Sequence, residues 1–297
     1  MGQRQFGSSQ STGRKLDLIS EYLKMYQMAL SRTRLSTVYI DGFAGSGEIP
    51  QGEVSASLFD HEVSTIITGS ARRAFEVDPK FDEYVFIDSR KACIDTLRAN
   101  FDEASEGVST TFHVGDANAE ICRICSSTNW RYRRGVVLLD PFGSQVSWET
   151  IEAIASTQAL DLWYLFPAGV GVFRQIGANG TVDDTHAPSI TRLFGTEDWR
   201  TAFLKPSSQG ELFGGPVSTE KVVTPESAAK FMIERMKHVF QGGVLDELIP
   251  LGQHAYPSYY LIFAWSNPST KAKRLAARLS KAAIVATDRK HGRIIGH

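Results

Sequence analysis

Four acidic residues, each at the end of a strand-like run, carry the chemistry that this chain's residue types allow. Asp41 ends Val38-Tyr39-Ile40 and is followed by Gly42, Phe43, Ala44, Gly45, Ser46 and Gly47. Small residues let backbone approach a ligand closely, and glycine accepts the positive φ of a tight turn. A strand entering such a turn with an acid at its edge suits an adenosine-containing cofactor. The acid precedes the glycines and the spacing is Gly-x-x-Gly-x-Gly, so this is not the dinucleotide fingerprint; a glycine-rich loop of some other α/β protein is the alternative. Asp88 ends Tyr84-Val85-Phe86-Ile87. About 41 residues separate it from Gly47, and setting aside the excursion 48–69 leaves about 19, near the ~20 expected of a ribose-binding acid. Its two oxygens match two neighbouring hydroxyls, unless it merely caps the helix starting near Arg90. Asp116, after the run 110–114 and ahead of Ala117, is placed to accept from an adenine amine or to cap a helix. Asp140 opens Asp140-Pro141-Phe142-Gly143 after Val136-Val137-Leu138-Leu139. An aryl amine is a poor nucleophile because its lone pair is delocalised. A carboxylate that accepts its N–H, with the neighbouring carbonyl, localises that pair, and a stacked aromatic adds roughly 1–3 kcal/mol per base. Asp140 is thus expected to orient an amine beside Pro141 while Phe142 stacks; a proline-stiffened strand end with a core phenylalanine is the alternative.

The elements that must position these residues alternate. The pattern predicts disorder over 1–13, then a helix over 14–31 from Leu16, Ile19, Leu23, Tyr26 and Leu30 at three- and four-residue spacing. Strands ending at Asp41, Asp88, Val114 and Leu139 follow, with helices at about 70–78, 90–101, 117–127 and 147–157, and a fifth strand from Asp161. Residues 168–250 read as an insertion with a helix near 226–239; Tyr259–Trp265 is a strand and 268–283 a basic helix. Four apolar residues in a row at 136–139 indicate a strand buried on both faces. The alternation predicts a mostly parallel sheet with right-handed crossovers, in one domain over 14–297.

Hydrophobic residues make up 42% of 297, enough for a sizeable core, and no run approaches the ~18 apolar residues of a membrane span. Cys93, Cys122 and Cys125 are too few for a disulfide scaffold and point to a reducing cytoplasm, as does a polar start without a signal core. Cys122 and Cys125, without a second pair, do not make a zinc set, and no metal is expected. The net charge of −1 conceals a basic segment, 271–293, in which Lys271, Lys273, Arg274, Arg278, Lys281, Arg289, Lys290 and Arg293 face only Asp288. Arg131, Arg133 and Arg134 form a second basic knot. Both are candidates for binding phosphate, or solvated surface.

Phe43-Ala44-Gly45-Ser46-Gly47 after a strand resembles the first motif of S-adenosylmethionine (SAM)-dependent methyltransferases. Asp140-Pro141-Phe142-Gly143 resembles the (Asp/Asn/Ser)-Pro-Pro-(Tyr/Phe) motif of enzymes that methylate exocyclic nitrogens, with the second proline missing; the variant also looks like the catalytic segment of tRNA guanine-N2 dimethyltransferases. With Lys15, Tyr22-Leu23, Gly69-Ser70, Phe166-Pro167, Phe173-Arg174, Phe194-Gly195, Trp199 and Tyr260–Ala264 in order, residues 15–280 resemble the three-Cys-motif partner protein (TcmP) family. That resemblance implies a Rossmann-like class I methyltransferase fold, SAM as cofactor with S-adenosylhomocysteine as product, and a three-Cys-motif protein encoded nearby. The functions weighed are an N-methyltransferase on a base of RNA or DNA, a SAM-binding partner subunit with little turnover, and a small-molecule methyltransferase using 168–250 as a lid.

Overall fold

A computed structural model describes residues 6–45, 70–102, 107–206, 219–251 and 256–292. Gly47, Gly69, Arg293 and the excursion 48–69 lie outside them. The central sheet joins β1 (Ser36–Asp41), β2 (Glu83–Asp88), β3 (Ser109–Val114), β4 (Arg133–Leu139), β5 (Leu160–Phe166), β8 (Gly243–Val244), β9 (Ile249–Leu251) and β10 (Tyr259–Trp265), in the order β3-β2-β1-β4-β5-β10-β8. The first five are parallel, and β10 runs antiparallel to β5. β8 and β9 both pair with β10 along the same edge, at opposite ends of it. β6 (Leu204–Pro206) and β7 (Thr219–Lys221) make a separate two-stranded piece.

This is the Rossmann-like arrangement expected from the sequence, a mostly parallel central sheet flanked by helices, and the strands explain it. β1, β2, β4 and β5 are almost wholly buried, each rich in Val, Ile, Leu and aromatics, because helices cover both faces. One face packs against α1 (Phe6–Leu30), α2 (Lys91–Asp102) and α8 (Thr270–Lys290) around Tyr22, Tyr39, Tyr84, Trp163 and Phe263. The other packs against α3 (Ala117–Ser127), α4 (Trp148–Ser156) and α7 (Pro225–Val239).

Three boundaries differ from the sequence expectation. α1 begins at Phe6, not 14. Its N-terminal half lies against the end of α8, through Arg14 to Asp288 at 2.8 Å and Asp17 to Lys290 and His291 at 3.0 and 2.9 Å, partners more than 270 positions away in sequence that no local pattern announces. α8 extends to Lys290 for the same reason. Residues 225–251 are not part of an insertion. α7, started by Thr224 in a reciprocal cap with Ser227, leads straight into β8, so the inserted segment ends before it. Its own elements include α5 (His186–Phe194) and α6 (Trp199–Phe203), which bury Phe194, Trp199 and Phe203 against α7.

α1 descends past the sheet while β4 ascends: Lys15 lies at Asp140, and Tyr26 donates to the Gly135 carbonyl at 3.3 Å. Tyr22 donates to Asp161 at 2.5 Å between them. The helix thereby delivers its N-terminal half to the carboxyl ends of the strands, where ligands of open α/β sheets bind.

Candidate cofactor and acceptor site

A pocket of about 380 Å³ opens at those ends, lined by Gly42, Phe43, Asp88, Ser89, Arg90, Asp116, Ala117, Phe142 and Gln145. The glycine turn sits on neighbouring strand ends. Gly42 N–H donates to the Leu138 carbonyl at 3.0 Å and Ala44 N–H to that of Ile87 at 2.9 Å. A Cβ on Gly42 would come within 2.9 Å of the Leu139 side chain and 3.0 Å of that of Ile121, so a larger residue there would have to displace both side-chain ends. Gly45 takes φ +63°, the left-handed region, and donates to Asp88 Oδ2 at 3.0 Å.

Asp88 is buried, and Arg90 also engages it: backbone N–H to Oδ1 at 2.8 Å, Nε to Oδ1 at 3.2 Å and Nη2 to Oδ2 at 3.4 Å. The Arg90 side chain is itself mostly exposed. Asp116 caps α3 by accepting from Ala119 N–H at 2.9 Å while standing exposed at the pocket, so capping and ligand binding are compatible. Phe43 and Phe142 are half-buried and present rings to the same space. Gln145 Oε1 accepts from Phe142 N–H at 2.9 Å, and Asn118 donates to the Gln145 carbonyl at 3.0 Å while accepting from Ser147 N–H and Thr150 at 2.8 Å each. Asn118 therefore clamps the loop after Asp140 to the start of α3. Ser144 bonds Gly171 at 2.9 Å and receives Arg192 at 3.0 Å, which anchors the loop to the inserted segment.

Expected along one rim, the four acids divide into two pairs. Asp88 and Asp116 line the pocket with Gly42, Phe43, Ala117 and Phe142. Asp41 and Asp140 have no exposed surface and lie behind its wall; Ala44, Gly45 and Pro141 are buried beside them. Lys15 lies with the buried pair. Its ammonium, wholly enclosed, sits 2.5 Å from Asp140 Oδ2. Burial lowers the Lys15 pKa, with Asp140 and Asp41 acting in the opposite direction. Asp140 Oδ1 is buried without a hydrogen-bond partner among the described residues. Asp41 accepts from Ser70 Oγ at 3.0 Å, Phe43 N–H at 3.2 Å and Tyr39 at 3.3 Å. Sequence reasoning assigns α1 no chemistry and misses Lys15, Arg90, Asn118, Ser70 and Gln145. The sequence signals for Lys15 are its place directly before an apolar helical stripe and its part in the family resemblance, neither of which assigns it a role.

The basic segments separate. Arg133 pairs with Glu83 at 3.0 Å and Arg134 donates to the carbonyls of Trp130 and Arg133, at the opposite end of β4, about 20 Å of strand from Asp140. Only Arg131 of that knot is exposed and without an ion pair among the described residues. On α8, Lys271, Lys273, Arg274, Arg278, Lys281 and Arg289 are exposed and none makes an ion pair among the described residues, while Lys290 is held by Asp17. Cys125 is buried and its thiol pushed up to about 12 by burial; no group of three or more metal-binding side chains occurs among the described residues. No described helix is long and apolar enough to cross a membrane.

No family model matches this chain, and no curated protein matches it. Among solved structures, it is similar to a Legionella pneumophila protein, LPL1258 (12% identity, TM-score 0.45, 90% of this chain and 91% of that one). It is also similar to an S-adenosylmethionine-dependent methyltransferase from Clostridium acetobutylicum (10% identity, TM-score 0.37, 82% and 91%). A third likeness is to the bifunctional kinase-methyltransferase WbdD (15% identity, TM-score 0.34, 84% and 61%). These TM-scores all fall below 0.5, so the fold assignment stands on strand order and direction.

Proposed function

We propose that the chain is a SAM-dependent N-methyltransferase acting on an exocyclic amine of a base in RNA or DNA. The observation that carries this reading is the joint placement of Asp88, Asp116, Phe43 and Phe142 around one pocket at the strand ends, with Asp140-Pro141 as its backing. The pocket's volume lies in the range of small-ligand sites, and its acids and rings match an adenosine's hydroxyls, amine and faces. Asp88 would hold the ribose, Asp116 the adenine amine, and the turn from Gly42 through Gly47 the amino-acid end. SAM, when bound, supplies an electrophilic methyl on a sulfonium, so the protein's part is positioning and exclusion of water. Asp140, with one oxygen on Lys15, is enclosed behind the pocket wall. Once that wall opens, its Oδ1 accepts the acceptor's N–H and localises its lone pair, and Phe142 stacks on the base. A base in a duplex must first leave the stack. The unpaired cations of α8 suit a phosphate backbone.

The resemblance to the three-Cys-motif partner family supports a second reading, a SAM-binding subunit that turns over only with its partner. It is favoured by one observation: Arg90 occupies Asp88 and Lys15 occupies Asp140, a closed arrangement that a partner could open.

Calorimetric titration of SAM into the native chain and Asp88→Ala tests the cofactor site: affinity should fall at least about tenfold in the variant, as loss of a hydrogen-bonded charged group implies. Equal dissociation constants remove Asp88 from the site. Incubation with methyl-labelled SAM and separate pools of tRNA, rRNA and DNA identifies the acceptor class; label that enters none of the pools, with or without the three-Cys-motif protein, overturns the nucleic-acid reading.

A further inference from the structure

Lys15, Asp140 and Asp41 make a group of three ionisable side chains with no exposure, directly behind the pocket wall. Gly42 and Phe43, which follow Asp41, line the pocket, as does Phe142, two residues after Asp140. Asp41 is faced by Lys15 from α1, by Asp140 from the end of β4, by Tyr39 on its own strand and by Ser70 of the short helix 70–75. Lys15 is committed to Asp140 at 2.5 Å. Two carboxylates therefore share one ammonium, and an ionised Asp41 leaves one negative charge uncompensated among the described residues, with no exposed surface. Such a charge is attracted far more strongly to a nearby cation than it would be in solvent.

We propose that this trio reads the charge of the methyl donor: ionised Asp41 is balanced by the sulfonium of SAM and by nothing in the neutral thioether product, so transfer of the methyl weakens binding and favours release. The inference rests on the reading of the pocket as a SAM site. Burial pushes the Asp41 carboxyl up to about 7, Asp140 reinforcing this and the bonds from Ser70, Phe43 and Tyr39 opposing it. The discrimination is therefore strong above that pH and fades below it. The titration of each ligand's own amino-acid end is the same whichever protein it meets, so it cancels when native and Asp41→Asn preferences are compared.

The test is calorimetric titration of SAM and of S-adenosylhomocysteine into the full chain, native and Asp41→Asn, at about pH 6 and about pH 8. The native preference for SAM should be roughly tenfold greater at the higher pH, because the ionised fraction of an Asp41 that titrates at about 7 rises about tenfold across that interval. In Asp41→Asn the preference should be small and equal at both. A native preference that does not change with pH overturns the proposal while SAM binding itself stands. Binding of neither ligand overturns the SAM reading and the proposal with it. Should Asp41→Asn fail to fold by circular dichroism, the native pH comparison decides alone.

Discussion

Lys15 and Asp140 show how one residue changes what a motif can do. An enclosed ion pair at 2.5 Å is costly to assemble and more costly to break, because its survivor is left as a buried, unpaired charge. Lys15→Met should therefore lose about 3–5 kcal/mol in denaturant unfolding, and Lys15→Met combined with Asp140→Leu should recover most of it. A double variant no more stable than the single one would mean that the pair is not the source of the loss. Arg90 is the opposite case. It is mostly exposed and lies across both oxygens of Asp88 that a ribose needs. Arg90→Ala should tighten SAM binding several-fold, since an exposed pair of this kind is worth only about 0.2–1 kcal/mol and its removal frees the carboxylate. Weaker binding in calorimetry would instead make Arg90 a ligand to the cofactor.

At the scale of elements, the site depends on where α1 is pinned. Asp17 gathers Arg73 at 2.6 Å, His291 at 2.9 Å and Lys290 at 3.0 Å, joining α1 to the helix at 70–75 and to the end of α8. These three partners hold the Asp17 carboxyl below its usual range although burial pushes the other way. A depressed carboxylate contributes stability that is present above its unfolded pKa and is lost as pH falls through the lower folded value. Asp17→Asn should loosen this junction: amide exchange should speed up in residues 286–292 while the strands β1, β4 and β5 stay protected. Unchanged exchange at the end of α8 would show that apolar packing alone holds the two helices.

Across the whole molecule, charge is distributed unevenly over a chain whose net charge is −1. The cations of α8 stand on one exposed face, whereas Arg133 and Arg134 are spent on Glu83 and on backbone carbonyls. Reversing Arg274, Arg278 and Lys281 to Glu should weaken binding of a fluorescent RNA or DNA duplex and make its salt dependence shallower, by about one in the log–log slope for each phosphate no longer neutralised. Reversing Arg133 should leave both unchanged. A salt slope identical in the α8 variant would place the nucleic acid elsewhere or remove it.

Strand residues and their ends are legible in the sequence because burial on both faces forces β-branched and aromatic runs, and because a sheet edge with a ligand site needs small residues and acids at the strand ends. That is why Asp41, Asp88, Asp116 and Asp140 can be placed in order from residue types alone, and why α7, in a stretch of weak signals, reads as a helix with no sign of its place beside the sheet. The tertiary structure alone decided which acids meet the pocket. Lys15 lies 125 positions from Asp140, and a long-range ion pair leaves no periodicity for a sequence to display. Its enclosed ammonium lies 2.5 Å from Asp140, with Asp41 buried beside the pair, while Asp88 and Asp116 line the pocket.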